Sequence, residues 1–137
     1  MNDTACNNLF VYGTLIDLDF FKYMFKKMPE KISEGHIRAN IYDCGTFPMV
    51  LEEPGGKVYG LIYTIEELED ILPSIDRYER FIPDDPEDSL FIRKKLSVTL
   101  STDEDIHAWV YTGNTLSKFC AERCVEVNRI QSGRWKM

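Results

Sequence analysis

Short apolar runs alternate with turn residues along most of the chain, and helical spacing breaks in at only a few places. Leu9-Phe10-Val11-Tyr12 reads as a first strand, ended at once by Gly13. Phe21, Met24, Phe25 and Met28 then recur at helical spacing, with Asp19, Lys22 and Lys26 on the opposite side, Asp17 as the cap and Pro29 as the stop. Gly35 to Leu51 is strand-like but broken by Gly45 and Pro48, and Pro54-Gly55-Gly56 is a turn. The run Val58-Tyr59-Gly60-Leu61-Ile62-Tyr63 is apolar at nearly every position, which predicts a central strand covered on both faces. Thr64 and Glu67 have capping-box spacing and predict a helix through Glu66 and Leu68 that Pro73 kinks or restarts. After an acidic loop from Pro83 to Asp88, the segment Leu90 to Leu100 alternates as a strand, with Leu90, Ile92, Leu96, Val98 and Leu100 on one face. Ile106 to Tyr111 is another strand, and Ser117 to Cys124 a short helix. Many strands with a few helices inserted, rather than regular βαβ alternation, predict an α+β fold with a curved sheet or small barrel.

Composition narrows the functional classes. The 137 residues show no internal repeat or flexible linker, so one domain over residues 1–137 is expected. A domain of this size buries roughly two-thirds of its unfolded surface and needs neither disulfides nor a structural metal. Acidic residues outnumber basic ones, 23 to 16, for a net charge of −7, so no nucleic-acid partner is expected. The 8 Phe, 7 Tyr and 2 Trp exclude a disordered acidic chain. No apolar run approaches the ~18 residues of a membrane span, so no membrane partner is expected either. Met1 to Asn8 is polar and lacks the basic start and apolar stretch of a secretory signal, which points to a cytoplasmic location. Of Cys6, Cys44, Cys120 and Cys124, only the last two share a helical turn. His36 and His107 are isolated, so no metal is expected and the thiols read as reduced.

Two polar features break the packing pattern. Tyr12-Gly13-Thr14-Leu15 leaves a strand through a tight turn, where successive backbone N–H groups can form a concavity for a carboxylate or oxyanion; on pattern alone such a turn is more often an ordinary strand exit. The apolar stripe Leu68, Leu72, Ile75 continues at helical spacing to Glu79. A carboxylate turned inward there has a raised pKa, the property general acid/base work requires. If Pro73 rotates the helix, Glu79 lies instead on the surface beside Arg77 or Arg80, while Glu66 and Glu69 fall off the apolar face in either case. Arg93 lies opposite the apolar stripe of its strand and reads as a structural partner for a carboxylate of the 84–88 loop. No G-x-S-x-G, phosphate loop or nucleophile setting occurs, which removes the hydrolase triads.

Taken in order, Tyr12-Gly13-Thr14-Leu15, Phe47-Pro48-Met49-Val50, Gly60-Leu61-Ile62-Tyr63, Ile75-Asp76-Arg77-Tyr78-Glu79, Phe91-Ile92-Arg93 and Ala108-Trp109-Val110-Tyr111 resemble the gamma-glutamylcyclotransferase-like family, and most its gamma-glutamylamine cyclotransferase branch. The resemblance spans about the whole chain and rests on the order of the motifs. It implies a small mixed β-barrel with flanking helices and a small-molecule γ-glutamyl substrate held over the Tyr12, Gly13, Thr14, Leu15 turn. It also implies Glu79 as the single acid/base residue. The sequence departs near its end, where Arg134 stands at a position often occupied by Asp in relatives; this bears on the contacts of the tail and on leaving-group specificity.

The implied reaction is intramolecular: the substrate's α-amino group attacks its own γ-carbonyl, an amine leaves and 5-oxoproline closes, with no cofactor. The alternative is a non-catalytic protein that captures a small anionic or γ-glutamyl ligand at the same turn, and turnover dependent on Glu79 separates the two. A third reading, a protein–protein interaction domain built on the acidic 84–88 loop, rests on a charge run that ordinarily is solvated surface.

Overall fold

The computed structural model describes residues 6–135, so all but the end of the polar Met1–Asn8 segment lies outside the described residues. Seven strands and three helices follow in the order β1 (Asn8–Val11), α1 (Leu18–Phe25), β2 (Lys31–Ile37), β3 (Asn40–Asp43), β4 (Pro48–Leu51), β5 (Val58–Thr64), α2 (Leu72–Tyr78), β6 (Phe91–Leu100), β7 (Asp105–Gly113) and α3 (Lys118–Arg123). Five strands form a closed barrel in the order β1-β5-β2-β6-β7. Its seam is a parallel bridge between β1 and β7, Leu9 opposite Trp109, whereas the other pairings are antiparallel. Strands β3 and β4 form a separate hairpin. The small mixed barrel with flanking helices is the expected architecture.

Alternation along the strands divides the core in two. Phe10, Ile62, Val98, Ala108 and Val110 pack together on one face of the barrel wall. Leu9, Val11 and Tyr63 face the other way, onto Phe21 and Phe25 of α1 and Leu72 and Ile75 of α2. Strand β5 lies between β1 and β2 and is covered on both faces, which explains its nearly continuous apolar run. Gly60 is needed there, because a Cβ would strike the Val11 carbonyl oxygen and approach Phe10 Cζ to 2.8 Å.

Two helices differ from their sequence patterns. Asp17 caps α1, with the Phe20 N–H donating to its Oδ1 at 3.2 Å, but the helix ends at Phe25, well before Pro29. Lys26 turns left-handed (φ 57°), and the chain leaves to pair Lys31 with Thr64, so Met28 is outside the helix. The capping box at Thr64 and Glu67 does not form. Thr64 ends β5 and its hydroxyl donates to Asn8 Oδ1 at 2.8 Å, Glu67 is left-handed (φ 55°), and a 3-10 turn over Leu68–Asp70 precedes α2. Pro73 sits in the first turn of α2, where its missing N–H has no helical partner to lose. Among the described residues no helix is long and apolar enough to cross a membrane.

Candidate active site

The end of β1 and the end of α2 meet across a cavity of about 580 Å³. Tyr12 is buried and its hydroxyl donates to the Tyr111 carbonyl at 2.5 Å, which fixes the strand exit against β7. Gly13 follows with no room for a side chain: a Cβ would lie 3.0 Å from Pro48 Cγ of the β3–β4 hairpin. Thr14–Ile16 then forms a 3-10 turn, held by the Ile16 N–H on the Gly13 carbonyl at 3.0 Å and the Asp17 N–H on the Thr14 carbonyl at 3.2 Å. From the helix side the Tyr63 hydroxyl donates to the carbonyls of Leu15 and Ile16 at 2.7 and 3.0 Å, and burial pushes that phenol up to about 12. The carbonyls of the turn are therefore engaged. Its amides are open: among the described residues nothing accepts from the N–H groups of Gly13, Thr14 and Leu15.

Glu79 caps the C-terminus of α2, with its N–H donating to the Ile75 carbonyl at 2.9 Å. Leu72 and Ile75 are buried on the same face, so the stripe carries Glu79 into the cavity that the turn lines, while Arg77 and Arg80 are exposed. The stripe is shorter than its spacing implies, because Leu68 belongs to the separate 3-10 turn. No group among the described residues donates to the Glu79 carboxylate. Without donors or a cation to stabilise its charge, burial pushes the carboxyl up to about 8.

The acid beside it has the opposite surroundings. Asp76, three residues before Glu79, accepts from Arg93 Nε at 2.8 Å and Nη2 at 3.3 Å, and from the Tyr111 hydroxyl at 2.5 Å. Burial and the Asp76 carboxylate raise the Tyr111 pKa, so Tyr111 remains a donor. Arg93 also lies over the Trp109 ring, its Cζ 4.4 Å from the centroid. The expected partner of Arg93 in the 84–88 loop is thus incorrect: Arg93 extends toward α2, and the buried Asp76 offers two oxygens to its planar fork. In the sequence Asp76 stands out only as a polar residue beside the buried face of α2.

The remaining cavity wall is mainly aromatic. Phe47 stacks on Phe119 of α3 (centroids 5.7 Å apart, planes 16° apart) and tilts against Phe91 of β6 at 6.0 Å. His36 and His107 are not among the lining residues. Cys120 and Cys124 bring their sulfurs to 3.5 Å as free thiols, and no metal-binding cluster of His, Cys, Asp and Glu occurs among the described residues. Arg134 lies over the Tyr59 ring at 4.3 Å, and neither residue lines the cavity, so the departure at the tail falls away from it.

Solved structures share this architecture. The crystal structure of an AIG2-like protein from Mus musculus matches at TM-score 0.66 and 21% identity, over 97% of this chain and 90% of its own. A solution structure from Arabidopsis thaliana matches at TM-score 0.67 and 17% identity, covering 85% of this chain and 74% of its own. A structure described as a gamma-glutamyl cyclotransferase matches at TM-score 0.57 and 11% identity, over 88% and 81%. No curated protein sequence gives a significant match. The family model described as Gamma-glutamyl cyclotransferase, AIG2-like, matches residues 9–137, from the first strand through the end of the chain. The chain therefore belongs to the gamma-glutamyl cyclotransferase, AIG2-like family.

Proposed function

We propose that the protein is a cyclotransferase that converts a γ-glutamyl amine or peptide to 5-oxoproline and a free amine, with Glu79 as general base and then general acid. The observation that carries this reading is the meeting, in one cavity, of a carboxyl with pKa about 8 and three open backbone amides. The amides of Gly13, Thr14 and Leu15 suit the α-carboxylate of the glutamyl group, since aligned N–H dipoles hold an anion without a side-chain cation. With that end anchored, the cavity folds the chain so that the α-nitrogen reaches the γ-carbonyl carbon. Such preorganisation can supply about 7 to 11 kcal/mol of an intramolecular reaction's barrier.

Proton transfer is the remaining barrier. An α-amino group titrates near ~7.8, and an ordinary glutamate near ~4.3 is too weak a base by about 5 kcal/mol. Glu79 at about 8 closes that gap. The same proton then passes to the departing nitrogen as the amide C–N bond breaks, so the carboxyl ends as it began. Cyclisation needs no external nucleophile and no redox partner.

The test is a panel of γ-glutamyl amines, amino acids and peptides assayed for 5-oxoproline with excess chelator present. Turnover of at least one member is expected. Binding without turnover across the panel moves the protein to a ligand-capture role, and neither binding nor turnover removes the γ-glutamyl reading altogether.

A further inference from the structure

The aromatic wall of the cavity has its own chemistry. Phe47, Phe91 and Phe119 converge on it from the β3–β4 hairpin, the start of β6 and α3, and Phe47 and Phe119 remain partly exposed although stacked on one another. At its rim stands Arg80. The left-handed backbone of Arg80 (φ 59°) is fixed by its carbonyl, which accepts from the Leu90 N–H at 2.9 Å. Its guanidinium has no carboxylate or hydrogen-bond partner among the described residues, even though the neighbouring loop carries Asp84, Asp85, Glu87 and Asp88. Among the residues lining the cavity, Arg80 is the one cation and Glu79 the one carboxyl.

This charge balance constrains the leaving group. A cationic one, such as a diamine or a lysine side chain, would find no carboxylate in the wall except the one that must move the proton. A small polar one would leave the part-exposed rings of Phe47 and Phe119 facing water. An apolar α-amino acid meets both features, because its side chain covers the rings and its carboxylate meets the free guanidinium.

Building on the cyclotransferase reading above, we infer that the substrate is a γ-glutamyl dipeptide whose second residue has a large apolar or aromatic side chain. In the bound dipeptide, that side chain lies against Phe47, Phe91 and Phe119, and its carboxylate pairs with Arg80. The bond formed joins the glutamyl α-nitrogen to the γ-carbonyl carbon, and the bond broken is the γ-amide. The proton leaves the α-nitrogen through Glu79 for the departing nitrogen, giving 5-oxoproline and the free amino acid with no water consumed.

The experiment measures kcat/KM for γ-glutamyl-phenylalanine, γ-glutamyl-alanine, γ-glutamyl-phenethylamine and γ-glutamate joined to the lysine side-chain amine. The proteins are the wild type, Arg80→Gln and Phe119→Ala. Wild type is expected to favour phenylalanine over alanine and over the lysine adduct by about ten-fold or more, and Phe119→Ala to remove most of the first preference. Arg80→Gln is expected to lose about ten-fold more on γ-glutamyl-phenylalanine than on γ-glutamyl-phenethylamine, which has the ring without the carboxylate. Equal losses on both compounds, or a preference for the lysine adduct, overturn the assignment. If no compound is turned over, the cyclotransferase reading fails, and the pocket assignment is then decided by calorimetry. In that event γ-glutamyl-phenylalanine must still bind wild type about ten-fold tighter than Arg80→Gln, and equal or undetectable binding overturns it too.

Discussion

At the scale of single residues, Asp76 and Glu79 show how environment divides two carboxyls on one short helix. Asp76 receives a guanidinium and a phenol, while Glu79 receives nothing and is pushed up to about 8. Replacing Glu79 by Gln keeps the shape and removes the titrating group. Glu79→Gln is expected to lower kcat by on the order of 10² or more with KM nearly unchanged, whereas Glu66→Gln and Glu69→Gln leave both within about two-fold. Steady-state 5-oxoproline formation distinguishes these outcomes, and wild-type kcat in Glu79→Gln removes the carboxyl from the mechanism. The same shift has a consequence for stability that needs no substrate. In the unfolded chain Glu79 ionises near 4.5, in the folded protein near 8, so between these values the folded state holds a proton the unfolded state has released. The raised folded pKa makes this carboxyl's contribution to stability fall as pH rises through that window, and the fall levels off above it. Glu79→Gln should therefore exceed wild type in stability by more than ~1 kcal/mol at pH 8 and match it near pH 4, measured by urea unfolding. An equal difference at both pH values means the carboxyl is solvated.

At the scale of elements, the turn after β1 depends on the hairpin that covers it. Pro48 already lies at contact distance from a Cβ on Gly13, so Gly13→Val must push apart the β1 exit and the β3–β4 hairpin. The expected outcome is a KM raised by about ten-fold or more with near-native circular dichroism, and an unchanged KM in a folded variant separates the turn from substrate binding. Most elements were readable because their signals are local: strand alternation in β6, the Asp17 cap of α1 and the unbroken apolar run of β5. The helix expected from Thr64 failed for a non-local reason. Its capping hydroxyl is taken by Asn8, a partner 56 positions away, and tertiary pairing overrides a capping pattern worth about 1 kcal/mol. Stripe spacing was enough to single out Glu79, because Leu72 and Ile75 do share its helix face. Asp76 and the aromatic wall were not readable, since Asp76 acquires its role from residues 17 and 35 positions on, and Phe47 meets Phe119 only once the hairpin and α3 have docked.

Across the whole molecule, the Asp76 cluster ties α2 to the barrel wall. Arg93 belongs to β6 and Tyr111 to β7, and both converge on a single helical carboxylate. Asp76→Asn leaves a mostly buried guanidinium, 17% exposed, against a neutral partner, and is expected to cost about 3 kcal/mol in urea unfolding. A loss below ~1 kcal/mol means that α2 is held mainly by Leu72 and Ile75. The parallel seam between Leu9 and Trp109 has a further effect, on the order in which the chain folds. The first strand can pair with β5 early, yet its other edge stays open until β7 exists, so barrel closure waits for a contact spanning nearly the whole sequence. Closing so large a loop is entropically late, which places this domain among slow folders of high contact order. Because the cavity draws on β1, the hairpin, α2, β6, β7 and α3 together, its full lining is assembled only after β7 and α3 have been synthesised.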